Sequence, residues 1–265
     1  MLRPLGISCL VLLAACVVPQ ESSTPIEAEA TATELPAVPA EPTRFLPDAW
    51  SSQAPWDFEQ SVARLVPGTW SIEDRTTLGS ALKRPDQVSI RAAVLLGFGG
   101  IDSAHVILSY LEERIEEPAR EADAAEVVAT RALARFPEDS IRERLRLLAV
   151  GGIPHPDLEI RTECACVALE MGERQVIPFL LRVLHAGTPA QLTDPIDWSP
   201  KQTLAWSKGR AAASLSRVAG VPNEFQADGP WAAQNAQAQA LAEALAQGPQ
   251  GASSKRNENG QKAGN

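Results

Sequence analysis

The amino-acid sequence predicts an all-α protein made of repeated helix pairs. Alanine and leucine are abundant, whereas the 265 residues include only one tyrosine and six phenylalanines, and this composition favours helices over strands. In addition, amphipathic segments that end at glycine recur along the chain at a spacing of about 36 residues, as in helical repeat proteins. With 45% hydrophobic residues, the chain can also bury a substantial core.

The N-terminus predicts export across a membrane. Arg3 precedes a short apolar run at residues 5–13, and this run is too short to span a bilayer by itself. A positive start followed by a short apolar stretch and small residues is typical of a secretion signal. The sequence Leu13-Ala14-Ala15-Cys16 comes next, and it resembles the lipobox of bacterial lipoproteins. An ordinary secretion signal with a chance cysteine is the alternative.

The lipobox resemblance implies how the mature protein is anchored. In lipoproteins a diacylglycerol is attached to the cysteine, and the signal peptide, here residues 1–15, is cleaved in front of it. Cys16 is thus the expected lipidation site, and its acyl chains would hold the protein on a membrane of the cell envelope. Val17 follows, rather than the aspartate that retains many lipoproteins in the inner membrane. We therefore expect an outer-membrane anchor, with the protein facing the periplasm or the cell surface.

Residues 16–45 predict a disordered acidic tether. The segment is rich in Pro, Ala, Thr and Glu, and no basic residue occurs in it before Arg44. Such a composition cannot bury enough apolar surface to fold, and its like charges keep the segment extended. Residues 248–265 are also polar and are predicted to form a disordered tail. The folded body is therefore expected between these two segments.

Residues 46–85 are predicted to form an N-terminal helical cap, with helices at about residues 58–66 and 73–83. Three tryptophans lie in this region: Trp50, Trp56 and Trp70. We expect them to cover the open face of the first repeat, because a terminal repeat leaves an apolar surface that must be closed off. The alternative is that the tryptophans form a binding platform.

Residues 86–247 show the repeated pattern most clearly. Leu96 and Leu169 superimpose at twice the period of about 36 residues, and Leu133 falls midway between them. The same shift aligns two sets of apolar residues, which are Ile107, Leu108 and Leu111, and Leu180, Leu181 and Leu184. The helix pairs are placed at about residues 86–116, 119–150, 156–187 and, as a divergent last pair, 202–247. Residues 188–201 are predicted to be an inserted loop rich in Pro, Asp and Trp.

These pairs resemble HEAT repeats, particularly the short bacterial type also found in phycobilisome lyases. The shared marks are an Ile-Arg pair that opens the first helix, a stripe of small residues, and a Leu-x-x-Gly ending. They occur here as Ile90-Arg91, Ile160-Arg161 and Leu96-Gly97-Phe98-Gly99. The resemblance covers about residues 86–187 and implies a right-handed α-solenoid, an α-α superhelix in which each pair buries its apolar face on its neighbours. It also implies that the second helices line a concave binding face.

No catalytic or metal-binding arrangement is predicted. Cys164 and Cys166 lie near His155, but side chains two residues apart on a helix point about 200° from each other, so both thiols cannot readily bind one metal ion. Cys164 continues an apolar stripe and is expected in the core. Ser109 and His105 form an i,i+4 pair without an acidic partner, which is weak evidence for a hydrolase. We expect no metal, no cofactor and no enzymatic activity.

The predicted binding surface lies on the second helices. By the repeat register, Ser109, Arg146 and Arg182 form one row, and His105 and Arg142 form the next. The arginines are expected to face solvent, so that their removal should barely change stability. A positive stripe on an acidic protein is a candidate site for an acidic partner protein, and an ordinary solvated helix face is the alternative.

The sequence therefore predicts a membrane-tethered protein-interaction scaffold of the bacterial cell envelope. The net charge of −9 argues against nucleic acid as the main partner, because phosphate binding needs a dense positive surface. Arg131 and Arg135, on the first helices, offer a comparison for the second-helix arginines. Two alternatives stay open: an accessory or lyase-like protein that handles a ligand such as a chromophore, and a purely structural spacer.

Overall fold

The computed structural model describes residues 50–51, 55–63, 65, 68, 70–116, 123–187 and 195–248. Cys16, the predicted signal peptide and tether, and nearly all of the predicted tail lie outside these ranges. The described residues belong to one unit, Ala40–Asn265. Their helices include none that is both long and apolar enough to cross a bilayer.

The described residues form ten α-helices and no strand, which confirms the all-α prediction. The helices are α1 (Pro55–Ala63), α2 (Ile72–Leu82), α3 (Gln87–Leu96), α4 (Ile101–Glu113), α5 (Ala124–Ala132), α6 (Asp139–Val150), α7 (Leu158–Glu170), α8 (Ile177–His185), α9 (Lys201–Ala219) and α10 (Trp231–Gln247). Short 3-10 turns occur at Arg114–Glu116, Leu133–Arg135, Arg174–Val176 and Pro195–Trp198. The predicted cap contains α1 and α2, and each of the four predicted pairs contains two helices.

Side-chain caps explain where several helices begin. Four helices start at a residue whose side-chain oxygen accepts a hydrogen bond from a backbone N–H of the first turn: Ser71 for α2, Asp86 for α3, Asp123 for α5 and Asp157 for α7. At α5 the Glu126 side chain also accepts a hydrogen bond from the backbone N–H of Asp123, which completes a capping box. Each such cap contributes about 1 kcal/mol. These residue types at helix starts are a local signal that the sequence already carries.

Helices that are two apart in the chain pack against each other. Helix α3 contacts α5, α5 contacts α7, and α7 contacts α9. On the other side of the pairs, α2 contacts α4, α4 contacts α6, and α8 contacts α10. Because each pair is amphipathic, these contacts bury the apolar faces that a single pair would leave in water.

The residues aligned by the repeat register are core residues. Leu96 and Leu133 are fully buried and Leu169 is 2% exposed. The aligned second-helix residues are also buried, except Leu181, which is only partly buried: Ile107, Leu108, Leu111, Leu180 and Leu184. The period of about 36 residues therefore matches equivalent positions in successive helix pairs.

Two cap tryptophans pack in the core, as predicted. Trp50 and Trp70 are buried, and the Trp70 indole Nε1 donates a hydrogen bond to the Leu95 carbonyl over 2.9 Å. Gly99 permits this arrangement, because a Cβ at that position would collide with the Trp70 ring and the Ser103 side chain. The binding-platform alternative is therefore wrong for Trp50 and Trp70, whereas the Trp56 side chain lies outside the described part of the molecule.

Candidate interaction surface

Helices α2 and α4 enclose an open groove of about 530 Å³, called here the α2–α4 groove. Its lining comes from successive turns of both helices: Ile72, Arg75, Thr76, Gly79, Ser80 and Lys83 of α2, and His105, Val106, Ser109, Tyr110 and Glu113 of α4. Two of the predicted partner-binding residues, His105 and Ser109, thus lie together in the groove. The contribution of α2 was not foreseen from the sequence, because α2 precedes the recognisable repeats.

Polar groups at the centre of the groove are available to a ligand. Within the described residues, neither the Ser80 and Ser109 hydroxyls nor the His105 ring makes a hydrogen bond. His105 and Ser109 are exposed. Gly79 lets the two helices approach closely, since a Cβ there would lie 3.0 Å from Val106 Cγ1. The groove therefore combines free donors and acceptors with a narrow floor.

The charged residues of the groove are paired at its two ends. Arg75 forms an ion pair with Asp102 at 3.2 Å and donates to the Trp70 carbonyl. Lys83 pairs with Glu113, and both side chains are more than half exposed. Ile72, at the Arg75 end of the groove, is 76% exposed. The positive and negative charges of the groove thus offset each other, and the apolar side chain of Ile72 is available for contact.

Arg142 and Arg146 of α6 are partly exposed, but each is paired with an acid of its own helix. Arg142 Nη2 lies 3.0 Å from Asp139 Oδ1. Arg146 donates through Nε to Glu143 over 2.7 Å and through a second nitrogen as well, and this hydrogen bond lowers the pKa of Glu143. The surface of α6 therefore carries both signs of charge, which corrects the expectation of a simple positive stripe.

Arg182 is a structural residue, contrary to the expectation that it is solvent-facing and dispensable for stability. Its Nη2 donates to Oδ2 of Asp197 over 2.7 Å, and the Asp197 side chain is 0% exposed. The other oxygen of Asp197 accepts a hydrogen bond from the Gly187 backbone N–H. These contacts attach the end of the predicted inserted loop, the Pro195–Trp198 turn, to α8. The repeat register could not show that this turn contacts the helix.

Arg131 and Arg135, the arginines predicted to offer a comparison, also hold the fold together. The Arg131 Nε donates to Glu163 over 3.0 Å, and the Glu163 side chain is 0% exposed. The Arg135 guanidinium lies 4.0 Å from the centre of the Phe98 ring, and burial lowers the pKa of Arg135. Neither residue is therefore a neutral comparison for a binding surface.

An ion-pair network that the sequence did not reveal connects α5, α7 and α9. Arg210 lies 3.0 Å from Glu163 and 3.1 Å from Glu170, and Arg217 also pairs with Glu170. Glu163 thus receives arginines from both neighbouring helices. A glutamate beside Cys164 on an otherwise apolar stretch was the one available signal, but its partner is 47 residues away in the chain.

Cys164 and Cys166 are buried free cysteines, and this confirms that Cys164 is a core residue. Although the two side chains leave α7 in different directions, both are buried because α5, α6, α8 and α9 all contact α7. Burial raises the pKa of Cys166 to about 12, and it also raises the pKa of Cys164. His155 is buried too, with Nδ1 accepting from the Asp157 backbone N–H. In the described residues, no three His, Cys, Asp or Glu side chains are grouped to hold a metal ion.

The chain matches no protein-family model, and no curated protein or solved structure is significantly similar to it. The structure therefore defines the protein at the level of its class, which is an all-α protein of paired helices with an open groove between α2 and α4.

Proposed function

We propose that this protein is a membrane-tethered, non-enzymatic interaction scaffold of the bacterial cell envelope, built as a right-handed α-solenoid of HEAT-like helix pairs. In this proposal lipid on Cys16 anchors the chain, and residues 16–45 set the distance between the membrane and the folded body. The helix pairs present a fixed surface to a partner protein.

The order of helix contacts supports the solenoid. In a stack of pairs, each first helix contacts the next first helix, as α3, α5, α7 and α9 do, and each second helix contacts the next second helix, as α2, α4 and α6 do. An ion pair reinforces the second-helix side, since Arg144 Nε of α6 donates to Glu112 of α4 over 2.8 Å. Stacks of this kind are stabilised by neighbour contacts and offer extended surfaces for binding.

The observation that carries the interaction function is the α2–α4 groove. It holds exposed, unengaged polar groups at His105 and Ser109 and an exposed apolar residue at Ile72. A segment of a partner protein laid along the groove would receive hydrogen bonds at its centre and apolar contact at one end. An acidic partner could extend towards Arg142 and Arg146, but there it would compete with Asp139 and Glu143.

Tethering makes a modest affinity sufficient. A partner on the same membrane meets the folded body at a high effective concentration, and this can replace a tight individual contact. The Cys16→Ala variant tests the anchor: we expect it to stay unprocessed or to leave the detergent phase in a phase-separation experiment. Normal detergent-phase partitioning of that variant, with the mature N-terminus elsewhere, would show that Cys16 is not the anchor.

The groove is tested by filling it. Ser109→Trp places a large side chain in the groove, and Ser140→Trp, at an exposed position near the start of α6, is the matched control. Both variants and the unaltered protein are cross-linked in detergent-solubilised envelope and recovered, after melting curves have shown that their folds are equally stable. We expect a partner that is recovered with the unaltered protein and with Ser140→Trp but lost with Ser109→Trp.

Two outcomes contradict the proposed surface. If Ser109→Trp and Ser140→Trp recover the partner equally well, the α2–α4 groove is not the binding site. If no protein is recovered specifically with any of the three, the spacer alternative is favoured over the scaffold.

A further inference from the structure

A second cavity, distinct from the α2–α4 groove, lies where the Pro195–Trp198 turn, the start of α9 and the start of α10 meet. Its volume is about 370 Å³, which is within the range of roughly 300–1,000 Å³ typical of small-molecule sites. The cavity lining includes Asp197, Lys201, Lys208, Asp228, Trp231 and Gln234. We call it the Lys208 pocket.

Lys208 is the central feature of this pocket. The residue is only 4% exposed, and within the described part of the chain its ammonium donates one hydrogen bond, to Gln234 Oε1 over 2.6 Å. An ammonium has three N–H donors, and a buried cation is costly unless an anion or several acceptors face it. Burial lowers the pKa of Lys208, and the nearby negative charge of Asp197 partly offsets this shift.

Gln234 holds the Lys208 ammonium in place, and the nearby Asp197 carboxylate is shared with other groups. Gln234 is itself buried, and its Nε2 donates to the carbonyls of Ala227 and Gly229 over 2.7 and 2.8 Å. This orients its oxygen towards Lys208. The carboxylate of Asp197 is engaged by Arg182 and by the Gly187 N–H. Because these contacts occupy both oxygens of Asp197, they weaken its ability to serve as the counter-ion of Lys208.

Two helix N-termini add positive potential at the same place. Helices α9 and α10 begin at Lys201 and Trp231, and neither has a side-chain cap hydrogen bond, because a proline precedes each helix. Uncapped first turns favour a negative group nearby. At the rim, Trp231 is 52% exposed and offers an aromatic face. Asp228 is also exposed there, so the pocket is not suited to a multiply charged anion.

We propose that the Lys208 pocket binds the carboxylate of a singly charged ligand with a flat apolar body. The carboxylate accepts hydrogen bonds from the Lys208 ammonium, and the apolar body lies against Trp231. A phosphate dianion is disfavoured by Asp197 and Asp228. The carboxylate can come from a small aromatic acid or from the C-terminus of a peptide, since both present the same charge and shape to the lysine.

Calorimetric titration of the full chain with benzoate tests the proposal, with benzamide as the uncharged probe of the same shape. We expect benzoate to bind and benzamide to bind at least about ten-fold more weakly, since a charge-assisted hydrogen bond is lost. Lys208→Met should weaken benzoate binding by about ten-fold or more. Arg84→Met, at an exposed position between α2 and α3 and outside the pocket lining, removes the same unit charge and should change affinity by no more than about two-fold. A tripeptide ending in phenylalanine, with a free or an amidated C-terminus, distinguishes the two sources of carboxylate.

The pH dependence of benzoate binding provides a measurement that needs no variant. The ligand remains anionic, so affinity should fall as pH rises through the lowered pKa of Lys208 and its ammonium loses the proton. The groups that face this lysine are Asp197, paired with Arg182, and at the rim Lys201 and Asp228. Equal binding of benzoate and benzamide, tighter Lys208-dependent binding of phosphate, or equal loss of affinity in Lys208→Met and Arg84→Met would overturn the proposal. So would the failure of benzoate and of the free tripeptide to bind at all.

Discussion

Replacing Arg182 by serine removes the cationic partner of a carboxylate that has no access to water. The Asp197 side chain is 0% exposed, whereas that of Arg182 is 26% exposed. Deleting one partner of a buried ion pair typically costs about 3–5 kcal/mol. Here the Gly187 N–H still donates to Asp197 and part of Arg182 was already solvated, so we expect a smaller loss of about 2–3 kcal/mol. For a folded body of this size, such a loss lowers the melting temperature by roughly 4–12 °C.

Arg142→Ser is the matched control, because it deletes the same side chain from a pair that water already screens. Its partner Asp139 is 88% exposed, and exposed pairs contribute at most about 1 kcal/mol, often less. Urea and thermal unfolding followed by far-ultraviolet circular dichroism give the free energy of unfolding for both variants. A third variant, Arg182→Met with Asp197→Leu, removes both charges and should recover most of the lost stability.

Unfolding of Arg182→Ser and Arg142→Ser at the same urea concentration and the same temperature would contradict this expectation. That result would show that the Arg182–Asp197 contact contributes no more than a surface pair. It would also return Arg182 to the set of solvent-facing arginines expected from the repeat register.

Three further predictions concern the core. Glu163→Gln should cost about 2–4 kcal/mol of unfolding free energy, because it removes the fully buried charge that Arg210 and Arg131 face. Glu112→Gln, whose side chain is 39% exposed, should cost less than about 1 kcal/mol. Equal losses would contradict the role of the network. Gly99→Ala should lower the melting temperature, since its Cβ would collide with Trp70 and Ser103. The control Gly152→Ala, with open space around it, should not. Equal melting temperatures of the two variants would count against the close approach of Trp70 to Gly99. Burial raises the thiol pKa of Cys164 and Cys166. Peptide mapping after maleimide treatment at neutral pH should therefore find both thiols unmodified until urea unfolds the protein. Labelling of the native protein would show that the two thiols are accessible.

The local features of this protein were predictable from the sequence. Helix positions follow from apolar periodicity and from capping residues such as Asp86 and Asp123, which act within one turn of the chain. The shared burial of Leu96, Leu133 and Leu169 follows from the repeat period, because each pair buries apolar residues at the same positions of the pattern. The helical class and the core positions of the repeat register are therefore local properties.

Contacts between distant segments were decided only by the tertiary structure. Glu163 meets Arg210 across 47 residues of chain, and Arg182 meets Asp197 because the Pro195–Trp198 turn lies against α8. The α2–α4 groove likewise depends on a cap helix outside the recognisable repeats. The sequence alone does not distinguish a charged side chain that faces water from one that faces a buried partner. Only packing excludes water from Asp197 and Glu163. That exclusion makes Arg182, which was expected in a binding surface, and Arg131, which was expected to be a neutral comparison, supports of the fold.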